Sequence, residues 1–395
     1  MSYASLLGHA LLIAAAGYVL MALLAGRWWQ RRSRRQPLPA ITRPVSVLKP
    51  LSGDEPRLYD NLRSFCVQDH PQYQLLFGLH DRDDAALAVV QRLQAEFPQL
   101  DIAVVIDSRV HGLNLKVSNL INLLPQARHD WLLLADSDIH APPELLRRVT
   151  APLADPAIGV VTCLYAGLAR GGLWSRLGAS FIDDWFAPSV TLTRLFGHTA
   201  YSFGATIALR RDSLNAIGGF DSLSGHVADD WWLGELTRRQ GLATVLSECR
   251  VATDVIETRF SDLAARELRW LRSIRAIEPL GYLFSFISFT TPVVVGGWLL
   301  SSGDALASAL AGNALLLRLL LHRRDDQAHP LAGLLLVPLR DSLSLLLWTV
   351  ALAGRVVRWR GRPMKIASRV RHRVPIHIRS RTATPQCQPT ERTPS

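Results

Sequence analysis

The chain has 395 residues, 49% of them hydrophobic and 19% charged, with a net charge of +11. That length allows two or three folded units, and so apolar a composition excludes a disordered chain and points to membrane segments. The charge is local: 15 of the 44 lysines and arginines lie in 27–35 and 354–381, where no acid occurs, and the remainder is net −4, with 29 bases against 33 acids. Charge confined beside apolar segments fits anionic lipid headgroups, so a membrane and not nucleic acid is the expected partner.

In chain order, Ala4–Gly26 carries no charged residue apart from a protonatable His9 and is long enough to cross a bilayer. The positive charges follow this run, the reverse of a signal peptide. They place the N-terminus outside and the chain from Arg27 onward in the cytoplasm. Residues 1–26 therefore read as an anchor and 27–43 as a basic linker.

Between 44 and 280 the pattern is that of an α/β domain. Val45–Leu48, Leu75–Leu79, Ile102–Ile106 and Trp131–Ala135 read as strands. Helices are expected after Asp54, with Pro56 in the first turn, and over Ala85–Phe97 and Lys116–Leu124. Alternation of strand and helix predicts a parallel sheet, with its ligand beyond the carboxyl ends of the strands.

Two of these strands run into acids. The second ends in His80-Asp81-Arg82-Asp83-Asp84 and the fourth in Asp136-Ser137-Asp138. Either cluster alone also reads as solvated loop acids that cap helices; both at one sheet edge favour a site. Paired carboxylates hold Mg²⁺ or Mn²⁺ while phosphate oxygens complete the octahedron, and the metal neutralises a departing diphosphate. There is no Gly-x-x-x-x-Gly-Lys-Ser/Thr loop, nor a Gly-x-Gly-x-x-Gly after the first strand, which argues against a P-loop ATPase and a dinucleotide oxidoreductase.

A third pair, Asp229-Asp230, precedes a helix over Trp231–Arg239 that Gly241 ends. Asp229 suits a helix cap, and Asp230 a base that takes a proton from an acceptor hydroxyl. In Arg266-Glu267-Leu268-Arg269-Trp270 the arginines share one helical face. That stretch reads both as a basic interfacial helix and as guanidinium contact with diphosphate, with Trp270 walling the acceptor.

Gly281–Ser301 and Ala305–Leu321 then read as a membrane hairpin returning to His322-Arg323-Arg324. Leu331–Ala353 is a third apolar run, interrupted by Pro338, Arg340 and Asp341. A full crossing would put the basic tail outside, whereas a re-entrant or interfacial run keeps it inside, so three or four spans in all remain open. The membrane segments occupy 281–353 and a basic, partly disordered tail 354–395. Cys66, Cys163, Cys249 and Cys387 are far apart in sequence and read as reduced, buried thiols.

Taken in order, the three acid clusters and Arg266-x-x-Arg269-Trp270 resemble the membrane-bound inverting glycosyltransferases of family 21, the ceramide glucosyltransferase family. The closest resemblance is to the bacterial hopanoid-biosynthesis-associated members. It is carried also by Val47-Leu48-Lys49-Pro50-Leu51, Phe65-Cys66-Val67-Gln68-Asp69, His111–Leu120, Ser202–Arg211 and Gly218-Gly219-Phe220. The resemblance implies a GT-A (Rossmann-like) domain, a UDP-sugar donor, a lipid hydroxyl acceptor and Mg²⁺ or Mn²⁺. It implies that Asp81, Asp83 or Asp84 holds the nucleoside side of the donor and that Lys116 lies near it. Asp136 and Asp138 would handle metal and diphosphate, Asp230 would be the base beside Asp229, and Arg266, Arg269 and Trp270 would complete the site. The expected reaction is transfer of N-acetylglucosamine to a hopanoid at the bacterial inner membrane, with glucosylation of ceramide as the alternative. A non-catalytic lipid-binding scaffold would leave three acid sites without a purpose.

Overall fold

The computed structural model describes residues 2–40, 43–53, 55–323, 331–354, 356–359 and 362–366. The expected cap Asp54, Arg324, Cys387 and most of the basic tail lie outside the described residues. One sheet of eight strands organises the soluble domain: β1 (Val45–Pro50), β2 (Tyr73–Leu79), β3 (Asp101–Ile106), β4 (Trp131–Ala135), β5 (Ile139–His140), β6 (Ile158–Ala169), β7 (Thr206–Arg210) and β8 (Ala243–Val255). Their order is β3-β2-β1-β4-β7-β6-β8-β5.

β1, β2 and β4 are near-continuous apolar runs because helices cover both faces of the sheet. On one face Val45, Val47, Leu75 and Leu133 pack with Leu62, Phe65 and Val90; on the other Leu48, Leu76 and Leu132 pack with Val117, Leu120 and Trp232. The α/β, GT-A-type arrangement is therefore present, and β3-β2-β1-β4 is parallel as expected. The rest of the sheet is mixed, since β7 is antiparallel to β4 and β6, and β5 to β8. β5 follows β4 with no helix between them; beyond it helices again separate the strands and β6 pairs with β8 in parallel, so alternation alone does not fix the direction of β7.

The order reverses between β1 and β4. The chain winds outward from β1 to β3 and then crosses back to β1's other side, opening a crevice at the carboxyl ends of β1 and β4. The helix after β1 starts at Leu58, not at Pro56, and Arg57 enters it in the left-handed conformation, φ 65°.

The N-terminal helix runs unbroken from Tyr3 to Arg35, so the basic stretch expected as a linker is helical. Its end is tied to β8, where Arg32 pairs with Glu248 (2.8 Å) and Ser33 donates to the Glu248 carbonyl (2.9 Å). The hairpin expected near the C-terminus is present, but Gly281–Ser301 is not one straight span. It divides into Pro279–Ser288 and Thr290–Leu300, bent by 73°. The turn after it packs on the start of the N-terminal helix. A Cβ on Gly8 would lie 2.3 Å from Ser301 Oγ, and His9 Nε2 stands 3.3 Å from Asp304, which caps Ala305–His322. Among the described residues three helices are long and apolar enough to cross a membrane, or four if the bent pair is one span. The last, Gly333–Ala351, whose α-helical part is Leu336–Ala351, carries Arg340 and Asp341 buried. They do not pair with each other: Arg340 meets Glu267 and Asp341 meets Arg318.

Candidate active site

A cavity of about 310 Å³ opens at the carboxyl ends of β1 and β4. Its lining includes Lys116, Asp136, Asp138, Asp229, Asp230, Arg266, Arg269 and Trp270. Residues up to 154 positions apart in sequence, expected separately to form a site, thus line one cavity. Asp81, Asp83 and Asp84 are not in that lining, although their neighbour His80 is. Asp81 and Asp83 are exposed, and Asp81 accepts from the Asp83 N–H (3.0 Å). Asp84 has structural partners: it accepts from the Gly53 N–H (3.0 Å) and the Ala86 N–H (2.9 Å), pinning the loop after β1 to the helix Ala86–Glu96.

Lys116 projects from the first turn of helix Leu115–Leu123, which Asn114 caps through the Val117 N–H (3.1 Å). Asn119 docks that helix by donating to the Gly78 carbonyl (2.8 Å), and a Cβ at Gly78 would overlap Asn119 Oδ1. Lys116 Nζ lies 2.5 Å from Asp136 and 3.8 Å from Asp229. Burial lowers its pKa, but Asp136, Asp229 and Asp230 more than offset this, so the ammonium stays charged.

Asp138 sits in the turn that leads from β4 into β5 and accepts from Thr253 Oγ1 (2.8 Å). Burial, then the neighbouring charge of Asp136, push its carboxyl up to about 7. A buried carboxyl pushed up by its own burial and by a second carboxylate beside it suits a hard divalent cation that relieves the repulsion. Among the described residues no group of three His, Cys, Asp or Glu forms a cage. Two carboxylates with substrate phosphates are what Mg²⁺ or Mn²⁺ needs here, so Asp136 and Asp138 fit the expected metal.

The expected cap at Asp229 is absent. The N-cap of helix Asp229–Arg239 is Ala228, with no side-chain cap. Asp229 instead accepts from Asn114 Nδ2 (3.1 Å). Asp230 is held by two backbone donors, Gly204 N–H to Oδ2 and Trp231 N–H to Oδ1, each 2.8 Å. Burial, then Asp229, raise its carboxyl to about 6. A base of that pKa is ionised at neutral pH and still basic enough to accept a proton. Because only the carboxylate accepts a proton, turnover should be full above pH 7 and fall as pH drops through about 6. A pH–rate profile checks this, and a flat profile down to pH 5 would count against Asp230 as the base.

Arg266, Arg269 and Trp270 come from helix Phe260–Ile277. Arg266 pairs with Glu257 (2.7 Å) and lies over Trp270, 5.6 Å from the ring centroid. Trp270 closes an aromatic wall with Tyr165 (6.3 Å) and Phe181 (6.1 Å). That wall is built by a π-helical turn, Phe181–Phe186, whose Ile182 also lines the cavity.

Two residues of the site are absent from the sequence-based set. Lys49, at the end of β1, is fully buried beneath the Asp136 turn; it donates to the Asp136 carbonyl (2.8 Å) and lies 3.7 Å from the Phe65 centroid. Burial lowers its pKa to about 7 against the pull of Asp138, Asp136 and Glu55. A lysine inside an apolar strand was a readable signal, since lysine is almost never fully buried without a partner. Tyr165, which burial pushes well above the usual phenol range, had no such signal, being one more aromatic in a buried strand.

The family model described as "Glycosyl transferase family 21" matches residues 9–371, and the chain belongs to that family. Ceramide glucosyltransferase 3 of Caenorhabditis elegans is 26% identical over 239 residues, 60% of this chain and 51% of that protein. Ceramide glucosyltransferase of Gibberella zeae is 25% identical over 175 residues, 40% of this chain and 33% of that protein. The chain thus spans about half the length, or less, of the curated relatives it matches. Among solved structures, a mannosyltransferase from Pyrobaculum calidifontis in complex with GDP-Man and Mn²⁺ aligns over 87% of this chain and 97% of its own, with 18% identity and a TM-score of 0.47. S. aureus TarS in complex with UDP aligns over 81% and 96%, with 14% identity and a TM-score of 0.41.

Proposed function

Within family 21, we propose that this chain moves a sugar from a UDP-linked donor to the hydroxyl of a membrane lipid, with inversion at the sugar carbon. One observation carries the reading: Asp230, the Asp136/Asp138 pair and the arginines of Arg266-x-x-Arg269-Trp270 line one cavity of a domain tied to apolar helices. Asp230 takes the proton of the acceptor hydroxyl, whose oxygen bonds to the anomeric carbon as the bond to the diphosphate breaks. Arg266 and Arg269 face the negative charge of the departing nucleotide, with Lys116 beside Asp136. A divalent ion held by Asp136 and Asp138 would supply further charge neutralisation to the diphosphate. Trp270, Tyr165 and Ile182 offer the acceptor an apolar approach.

The curated relatives favour glucose and ceramide over the hopanoid reading expected from the local sequence stretches. Asp138 keeps N-acetylglucosamine transfer to a hopanoid as a second reading, because ceramide enzymes often lack the last acid of this motif. We place the catalytic domain on the cytoplasmic face of a bacterial inner membrane. The basic tail stays on the same side: Leu336–Ala351 meets helix Phe260–Ile277 through Arg340 at one end, and just beyond its other end the Leu352 carbonyl accepts from Arg275.

Expressing membranes given labelled UDP-glucose and UDP-N-acetylglucosamine, with ceramide and bacteriohopanetetrol in parallel, should yield one glycolipid identifiable by mass. Glucosylceramide supports the first pair and an N-acetylglucosaminyl hopanoid the second. No product, no donor hydrolysis and no Mn²⁺-dependent binding of UDP would favour a non-catalytic scaffold.

A further inference from the structure

We infer that Arg340, on the last apolar helix, and Glu267, on the helix bearing Arg266, Arg269 and Trp270, are positioning residues for the active site. What they position rests on the glycosyl-transfer reading.

Successive residues of a helix are about 100° apart, so Arg266, Arg269 and Trp270 fall on the face that lines the cavity and Glu267 on a flank turned from it. There Glu267 is fully buried, with a side-chain exposure of 0%, and Arg340 meets it at 2%. The pair is a two-pronged fork. Arg340 Nη1 donates to Glu267 Oε1 and Nη2 to Oε2, both at 2.8 Å. The remaining contacts of Arg340 fasten further elements: Nη1 donates to the Leu177 carbonyl (3.2 Å), Nε to Ser344 Oγ (3.0 Å), and the guanidinium lies 5.3 Å from the Phe181 centroid.

Leu177 and Phe181 lead directly into the π-helical turn that presents Ile182 to the cavity. One arginine thus holds both walls, the turn of Phe181 and Ile182 and the helix of Trp270. The next residue repeats the link. Asp341 accepts from Arg318 Nη2 (2.8 Å) and from the Thr291 hydroxyl (2.9 Å), and Arg318 reaches Asp184 of the same turn (3.3 Å).

Stability does not account for such a pair. Apolar residues of similar volume in place of a buried ion pair are often neutral or stabilising, and an arginine in an apolar helix is costly. Geometry does account for it. A bidentate guanidinium–carboxylate contact sets both distance and orientation, which apolar packing leaves looser.

The test uses the full chain in lipid nanodiscs, as wild type, Arg340→Lys, Arg340→Met and the double variant Arg340→Met/Glu267→Leu. Melting temperature, kcat and KM for donor and acceptor, and hydrogen exchange over 260–277 are measured. Arg340→Met alone leaves a buried carboxylate and should lower both melting temperature and kcat. The double variant should regain the wild-type melting temperature or exceed it. Its kcat should stay at least tenfold down with donor KM within twofold, and residues 260–277 should exchange at least tenfold faster. Wild-type kcat and wild-type exchange in the folded double variant would overturn the inference. If the double variant does not fold, Arg340→Lys decides: it keeps the charge without the fork, so lowered kcat with native melting supports the inference and unchanged kcat overturns it. Should the wild-type protein transfer no sugar, the functional reading fails, and exchange over 260–277 still decides whether the pair positions that helix.

Discussion

Asp230→Asn should abolish sugar transfer, with a loss of about 10²–10⁴-fold, the range for removing a positioned general base, while the protein remains folded and membrane-bound. The substitution keeps the side chain's shape. One amide oxygen can accept from either the Gly204 or the Trp231 N–H but not both, so about 1 kcal/mol of hydrogen bonding is lost. Against that, a buried carboxylate raised by its neighbour Asp229 disappears, which relieves repulsion. The melting temperature should therefore move little and UDP binding should persist, since the nucleotide is held by other residues. Turnover of lipid acceptor and UDP titration, measured on the same preparation, separate the two effects. Near-normal turnover would remove Asp230 from the role of base.

Asp138→Ala should cost on the order of 10³-fold in turnover, about 4 kcal/mol, because a two-carboxylate site that loses one ligand no longer holds its cation. The structural cost is small: the Thr253 hydroxyl loses its acceptor and Lys49 one of its neighbouring negative charges, while a carboxylate that burial and Asp136 disfavour is removed. The distinctive readout is metal dependence. Wild-type UDP binding should strengthen with added Mn²⁺, and the variant's should not respond. A variant that keeps a Mn²⁺ response and near-normal turnover would show that the aspartate pair is not the metal site.

The sequence reading and the structure agree where one local rule acts alone. Val45–Leu48 and Trp131–Ala135 are strands because apolar runs of that length, ended by polar residues, have one comfortable place in an α/β fold, between two helical layers. The acids after β4 follow from that placement, since a parallel strand must end at the ligand edge. Agreement fails where two partners compete. Asp229 has the side chain of a helix cap, yet Asn114 and Lys116 claim it, and neither neighbour can be foreseen from 115 and 113 residues away. The acids after β2 match the same pattern as those after β4, but Asp84 is committed to the Gly53 and Ala86 N–H groups.

By itself the sequence determined the long apolar helices, the parallel half of the sheet, the family and eight of the residues that line the cavity. Each of these is written in short-range signals: apolar run length, strand–helix alternation, and acids at strand ends. Only the tertiary structure decided that Arg340 and Asp341, which locally read as an interruption of an apolar run, are partners of Glu267 and Arg318. It alone placed Lys49 beneath Asp136 and bent Gly281–Ser301 by 73°. For the charged groups the physical reason is the same. A buried charge is tolerated only beside its counter-charge or a fixed dipole, and which distant residue supplies that partner is set by packing that no local pattern records.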